Sequence, residues 1–202
     1  TLIKSFVDKT KKSTIKIGAQ DCHVQQNYGP FTGAISSKMI RDLGGKFVII
    51  GHSETRAEND NKKINLKIKS ALKANLKVIL CIGEKLTDKN NNKTIRVLNS
   101  QILACLTNIK PINNLLIAYE PVWAIGSGRT PSVNEISYVV KKIREIILKR
   151  FKIKNIKVIY GGSVNPKNIE YLKNIKNING FLIGGSSQKQ NKFIDIIKKT
   201  IN

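Results

Sequence analysis

In the segment IAYEPVWAIGSGRTPS, Ile117 to Ser132, one carboxylate, Glu120, stands between a run of β-formers and a stretch rich in Gly, Ser and Pro. A carboxylate fixed on a strand end and shielded from water can take a proton from a weakly acidic carbon. The charge so released needs a hydrogen-bond donor nearby, and a reactive intermediate needs a cover against water. Three other apolar runs also end in residues able to do chemistry. His52 and Glu54 follow one, Gly161-Gly162-Ser163 another, and Gly184-Gly185 the last. Paired glycines expose backbone N–H groups that a phosphate can approach closely, because no Cβ intervenes. Each feature also has a plainer reading. A Glu after a strand is commonly a solvated loop residue or a helix cap, a lone His is commonly structural, and a Gly-Gly pair such as Gly44-Gly45 makes a tight turn.

The elements that would position these residues follow a rhythm. Short apolar runs recur: IKIGAQ from Ile15, FVIIG from Phe47, VILCIG from Val78, LLIAY from Leu115, IKVIYGG from Ile156 and GFLIGG from Gly180. Each reads as a short parallel strand buried on both faces. Amphipathic helices lie between them. Ser132 and Glu135 have the spacing of a capping box, and Ile136, Val139, Val140, Ile143, Ile146 and Ile147 form one stripe behind it. Ile95, Leu98, Ile102 and Leu106 form a second stripe, and Ile64, Ile68 and Leu72 a third. Leu2, Ile3, Phe6 and Val7 begin the chain as part of a further helix. Strands alternating with helices, with no linker between, predict one α/β domain over residues 1–202 with a parallel sheet. A barrel brings the C-terminal ends of all its strands to one face, which would gather these polar residues. A doubly wound sheet does so only at its switch point, and no G-x-G-x-x-G follows a strand.

Composition narrows the classes. The chain has 202 residues, 41% of them hydrophobic, enough for a sizeable core. Its net charge of +23 points first to nucleic acid. The distribution argues against that, because the lysines are strewn among Asn and Ile, as in KNNNK and NIEYLKNIKNING, and aromatics make up only 6%. Cys22, Cys81 and Cys105 are widely spaced and read as small core residues, and His23 beside Cys22 has no companions at metal-ligand spacing. No leader of signal-peptide shape opens the sequence, and no apolar run approaches the roughly 20 residues of a membrane helix. The expectation is a soluble, cytoplasmic protein without nucleic-acid or membrane partners.

GHSETR, AYEPVWAIGSGRTPS, YGGSV and FLIGGSS, in that order and spacing, closely resemble the triosephosphate isomerase family, and the resemblance covers essentially the whole chain. It implies a (β/α)8 TIM barrel that interconverts dihydroxyacetone phosphate and D-glyceraldehyde 3-phosphate through an enediolate, in glycolysis and gluconeogenesis. Glu120 matches the family's catalytic carboxylate, and His52 the neutral imidazole that polarises the carbonyl, a pairing described for this enzyme in general accounts of catalysis. Gly126, Ser163, Gly184 and Gly185 match the groups that hold the phosphate through backbone N–H donors. Glu54 matches a buried acidic residue near the site. Pro121-Val122-Trp123 would be a hinge and Ala124 to Arg129 the closing tip, a lid of a kind this enzyme also exemplifies. The resemblance implies no cofactor and no metal, a small phosphorylated triose as substrate, and a homodimer in which the loop at Phe31-Thr32-Gly33 reaches into the partner.

Some positions depart from the family's pattern. Ala34 and Thr55 stand where the family carries Glu and Arg, so a polar link is lost on both sides. Arg129 and Pro131 also differ within the lid region. The family's first strand, which bears an Asn and a catalytic Lys, and the helix and second strand after it have no counterpart within residues 1–202. The sequence opens on Thr1 without an initiator methionine and its only methionine is Met39, so the expectation is that Thr1 is not the first residue of the gene product. The expectation is therefore an incomplete barrel with its first two strands and first helix missing, poorly soluble and inactive until roughly 45 further residues complete the fold. The alternatives are an inactive fragment of that enzyme, or another phosphate-binding barrel isomerase.

Overall fold

A computed structural model describes residues 2–109 and 114–201. Five parallel strands lie in one sheet in the order β1 (Gly18–Ala19), β2 (Phe47–Ile50), β3 (Lys77–Ile82), β4 (Leu115–Tyr119) and β5 (Lys157–Tyr160). The longer helices are α3 (Asn61–Lys73), α5 (Thr94–Leu106), α6 (Val133–Phe151) and α8 (Gln190–Ile201). Short helices α1 (Ile3–Lys9), α2 (Ser37–Asp42), α4 (Leu86–Asn90) and α7 (Ile169–Leu172) complete the set. The chain packs as two compact units, one of Thr1–Cys81 with Gln101–Leu116 and one of Ile82–Ser100 with Ile117–Asn202.

In the first unit, β1 pairs Gly18 with Phe47 and Ala19 with Val48, and β2 pairs in register with β3 from Phe47↔Lys77 to Ile50↔Leu80. The strand expected from Ile15 shrinks to two residues. The Ile15 N–H bonds the Ser13 hydroxyl at 3.2 Å, a local turn that competes with the ladder, and Ile15 is 60% exposed. Gly18 permits the pairing that remains, since a Cβ there would stand 2.7 Å from the Phe47 carbonyl oxygen. Burial on both faces also fails for β2, where half-buried Phe47 and Ile49 alternate with buried Val48 and Ile50. Asp60 caps α3, its carboxylate accepting from Lys63 N at 2.7 Å; Ile64 and Ile68 are buried and Leu72 half-buried. Gly44, at φ +92, ends α2 as expected of the Gly-Gly turn, and Val7 of α1 packs where its Cβ would be. The three cysteines are buried and form no disulfide, and burial pushes the Cys22 thiol up to about 12.

In the second unit, α6 begins with the expected capping box. Ser132 Oγ accepts from Glu135 N at 3.2 Å, and Glu135 Oε2 accepts from Ser132 N at 2.7 Å. Ile136, Val139, Val140, Ile143 and Ile147 are buried, each fully covered side chain contributing about 1.5–3 kcal/mol, while Ile146 lies half-buried at the stripe's edge. Lys152, at φ +60, stops the helix in the left-handed conformation. The sixth expected strand reduces to one bridge, Tyr160↔Phe181. Gly180 has φ +147 on one side, and Gly184 turns the chain with φ −83 and ψ −116 on the other. Only the bonds from Tyr160 N to Gly180 O and from Leu182 N to Tyr160 O fit between those breaks.

Candidate active site

The residues singled out in the sequence fall into the two units. In the first, Gly51, at φ +77, turns the chain out of β2 and presents His52. The His52 carbonyl is gripped by Thr55 N at 2.9 Å, Thr55 Oγ1 at 3.0 Å and Arg56 N at 3.1 Å. Thr55 thus acts locally, as a clamp on the histidine's backbone. His52 Nδ1 accepts from the Glu54 N–H at 3.3 Å. A ring nitrogen that accepts carries no proton, so this contact matches the neutral tautomer with its N–H at Nε2. Glu54 itself corrects an expectation. It is not buried: its side chain is 83% exposed, with a carboxylate oxygen 3.8 Å from His52 Nδ1.

In the second unit, Glu120 is the residue immediately after β4 and is 2% exposed. Its N–H donates to Ile82 O at 2.8 Å, continuing the strand pairing to the point where the carboxylate begins. Glycines on the flanking strand ends make room for it. A Cβ on Gly83 would fall 1.6 Å from the Glu120 carbonyl oxygen, and one on Gly161 would fall 2.8 Å from Glu120 Cγ. Gly161 N bonds Tyr119 O at 2.9 Å, which fixes that close approach.

The segment after Glu120 is anchored at its base and open at its tip. Val122–Ala124 form a 3-10 turn, held by Val122 N on Glu84 O at 3.0 Å. Ala124 is fully buried, so it belongs to the base and not to the tip expected from the sequence. Gly126 and Gly128, at φ +65 and φ +72, carry the exposed part, and Ser127 Oγ bonds Trp123 O at 3.0 Å.

The phosphate candidates behave differently from one another. Ser163 lies two residues beyond Gly161, its carbonyl accepting from Asn168 Nδ2 at 2.9 Å. Gly184 and Gly185 are exposed at the start of a 3-10 turn, Gly185–Gln188, and their N–H groups donate to no backbone acceptor among the described residues. Ser186 Oγ donates to Val164 O at 2.9 Å, so this loop and the Ser163 loop are tied together. Glu120, Gly161, Ser163 and Gly184-Gly185 therefore form a connected group. Gly126 sits in the exposed part of the segment after Glu120, and His52 belongs to the other unit.

One residue of this neighbourhood was missed in the sequence. Glu84 is 1% exposed, accepting from Trp123 Nε1 at 2.9 Å and from the Tyr119 hydroxyl at 3.2 Å through Oε1. Its Oε2 is buried without a hydrogen-bond partner among the described residues. Burial raises its pKa above the ordinary value of 4.5, and the Trp123 N–H opposes that rise. The signal was present, because Glu84 ends the VILCIG run much as Glu120 ends LLIAY.

A sequence model of the family described as triosephosphate isomerase matches residues 1–200. The chain is 39% identical over 202 residues to a triosephosphate isomerase of Bradyrhizobium diazoefficiens, covering 98% of this chain and 80% of that protein. It is 42% identical over 188 residues to one of Mycoplasma mobile, covering 92% and 75%. The crystal structure of triosephosphate isomerase from Bartonella henselae superposes with a TM-score of 0.91 at 34% identity, covering all of this chain and 84% of that one. The fold is accordingly α/β and of the TIM-barrel kind.

Proposed function

The chain belongs to the triosephosphate isomerase family, and from that premise we propose how its residues carry the isomerisation of a triose phosphate. Glu120 is the base. It removes a proton from the carbon beside the carbonyl of dihydroxyacetone phosphate and returns it to the neighbouring carbon, giving D-glyceraldehyde 3-phosphate. His52 donates from Nε2 to the oxygen that gains charge in the enediolate and relays a proton between the two oxygens. The N–H groups of Ser163, Gly184 and Gly185 hold the phosphate, and Gly126 adds a donor when the lid closes. Closure keeps water from an intermediate that would otherwise lose phosphate. Proton transfer of this kind is done by acid and base groups alone, so the reading includes no cofactor or metal.

The observation that carries the proposal is Glu120: a carboxylate 2% exposed at a strand end, pressed by Gly161 on one side and followed at once by a tethered lid. A coupled assay of dihydroxyacetone phosphate formation from glyceraldehyde 3-phosphate tests it, comparing the parent with Glu120→Asp. Equal turnover in both would remove Glu120 from the mechanism.

The further reading places residues 1–202 in one TIM-barrel domain of a cytoplasmic enzyme of glycolysis and gluconeogenesis, acting as a homodimer. Exposed Tyr28, Phe31 and Ile35, at 57%, 38% and 54%, support the 31–33 loop as the dimer contact. No helix among the described residues is long and apolar enough to cross a membrane.

A further inference from the structure

One lysine touches both ends of the lid. Lys89 Nζ, on α4, lies 3.8 Å from the centroid of the Trp123 ring and 3.4 Å from Glu135 Oε1. Trp123 stands in the 3-10 turn at the lid's beginning. Glu135 stands in the first turn of α6, and its other oxygen, Oε2, accepts from Ser132 N, where the lid ends. The indole is thus held twice, on its face by the ammonium and at its edge by the Nε1–H bond to Glu84.

Neither contact is strong alone. The ion pair is partly exposed, with side chains 33% and 52% accessible, and such pairs contribute little to stability. A cation over an indole is the better of the two, tryptophan being the preferred ring for such contacts. Their combination fixes position. The ammonium can satisfy both partners only while the lid's two ends keep their present separation.

We infer that Lys89 is a positioning residue for the lid, a strap from Trp123 to Glu135 that sets how readily residues 121–131 close over the substrate. It acts through those two side chains and touches no reacting atom. The inference rests on the isomerase reading above for its effect on catalysis, while the strap itself rests on the contacts alone. Without the ammonium, one face of the indole and one oxygen of Glu135 are released, and the lid's base can rock. Changes at hinges commonly alter kcat and KM together.

Trp123 is the only tryptophan in the chain, so its fluorescence reports on the lid's base whether or not turnover occurs. The variants are Lys89→Met, which keeps the apolar stem, Lys89→Arg, whose guanidinium also stacks on indole and pairs with carboxylate, and Glu135→Gln, which keeps an oxygen for Ser132 N. Acrylamide quenching is measured with and without glycerol 3-phosphate, a substrate analogue without the carbonyl, beside kcat and KM for dihydroxyacetone phosphate. Lys89→Met is expected to raise quenching roughly twofold and to lower kcat/KM about 5- to 20-fold with both constants changed. Lys89→Arg should restore both readouts, and Glu135→Gln should fall between. Parental quenching in Lys89→Met overturns the strap. Raised quenching with parental kcat and KM overturns its positioning role. A parent with no isomerase activity but the expected quenching pattern supports the strap and counts against the isomerase reading instead.

Discussion

The indole N–H of Trp123 donates to Glu84 Oε1 at 2.9 Å, so the base of the lid rests on a buried carboxylate. The backbone repeats the link, with Val122 N on Glu84 O at 3.0 Å. The strand end that carries Glu84 and the segment that follows Glu120 are joined at two points, and Glu120 lies between them in the pairing through its own N–H on Ile82 O.

This arrangement predicts a pH dependence. Burial raises the folded-state pKa of Glu84 above 4.5, so the folded chain holds that proton more tightly than the unfolded chain does. The stability contributed by the proton is fully present below 4.5 and is lost as pH rises through the raised value. Asp8, Asp42, Glu135 and Glu145 are shifted the other way, and their contributions are lost as pH falls below their ordinary values of 3.8 for Asp and 4.5 for Glu. The range above 4.5 therefore belongs to Glu84 among these carboxylates. Thermal melts from pH 4.5 upward should show Glu84→Gln gaining in Tm relative to the parent as pH rises. A constant difference between the two would contradict the assignment.

Gly161→Ala should disable the site without abolishing the fold. The new Cβ would stand 2.8 Å from Glu120 Cγ, so one of the two must move. Overpacking of that kind costs about 1–3 kcal/mol, visible in a denaturant midpoint. A base displaced on the order of 1 Å loses about 100-fold in kcat. Parental kcat in a destabilised Gly161→Ala protein would show that the position of the Glu120 side chain is not what limits the reaction.

His52→Gln should keep the local fold, because the three bonds from Thr55 and Arg56 to the His52 carbonyl do not involve the side chain and the Gln oxygen can accept in place of Nδ1. An amide can donate a hydrogen bond but cannot pass a proton from one oxygen to the other. A loss in kcat of about 100- to 10,000-fold, the usual range for general acid–base groups, is expected in steady-state kinetics. Unchanged kcat would make the histidine structural.

Much of this was legible in the chain, and the gaps have physical causes. Glu120, Gly161 and the Ser132–Glu135 capping box follow local rules of strand ends and helix starts, so residue type and spacing suffice to find them. Glu84 follows the same strand-end rule, yet what distinguishes it is burial by Tyr119 and Trp123, partners about 35 to 39 positions later. Two expected strands shortened because single residues outweighed the apolar pattern, the Ser13 hydroxyl near Ile15 and the φ +147 of Gly180 near Phe181. Ala124 reads as part of a mobile Gly-Ser tip, but packing takes it into the core. Burial of Glu54 is implied by the resemblance alone, and no feature of its own sequence neighbourhood requires it.

Deuterium exchange tests the central claim, that Glu120 removes the carbon-bound proton. Dihydroxyacetone phosphate is incubated in D2O with the parent or with Glu120→Gln, and proton NMR follows loss of signal at the carbon beside the carbonyl. The parent should incorporate deuterium as it isomerises, and the variant, which keeps the shape but lacks the base, should be slower in both by more than about 100-fold. Exchange by Glu120→Gln at the parental rate would contradict the account.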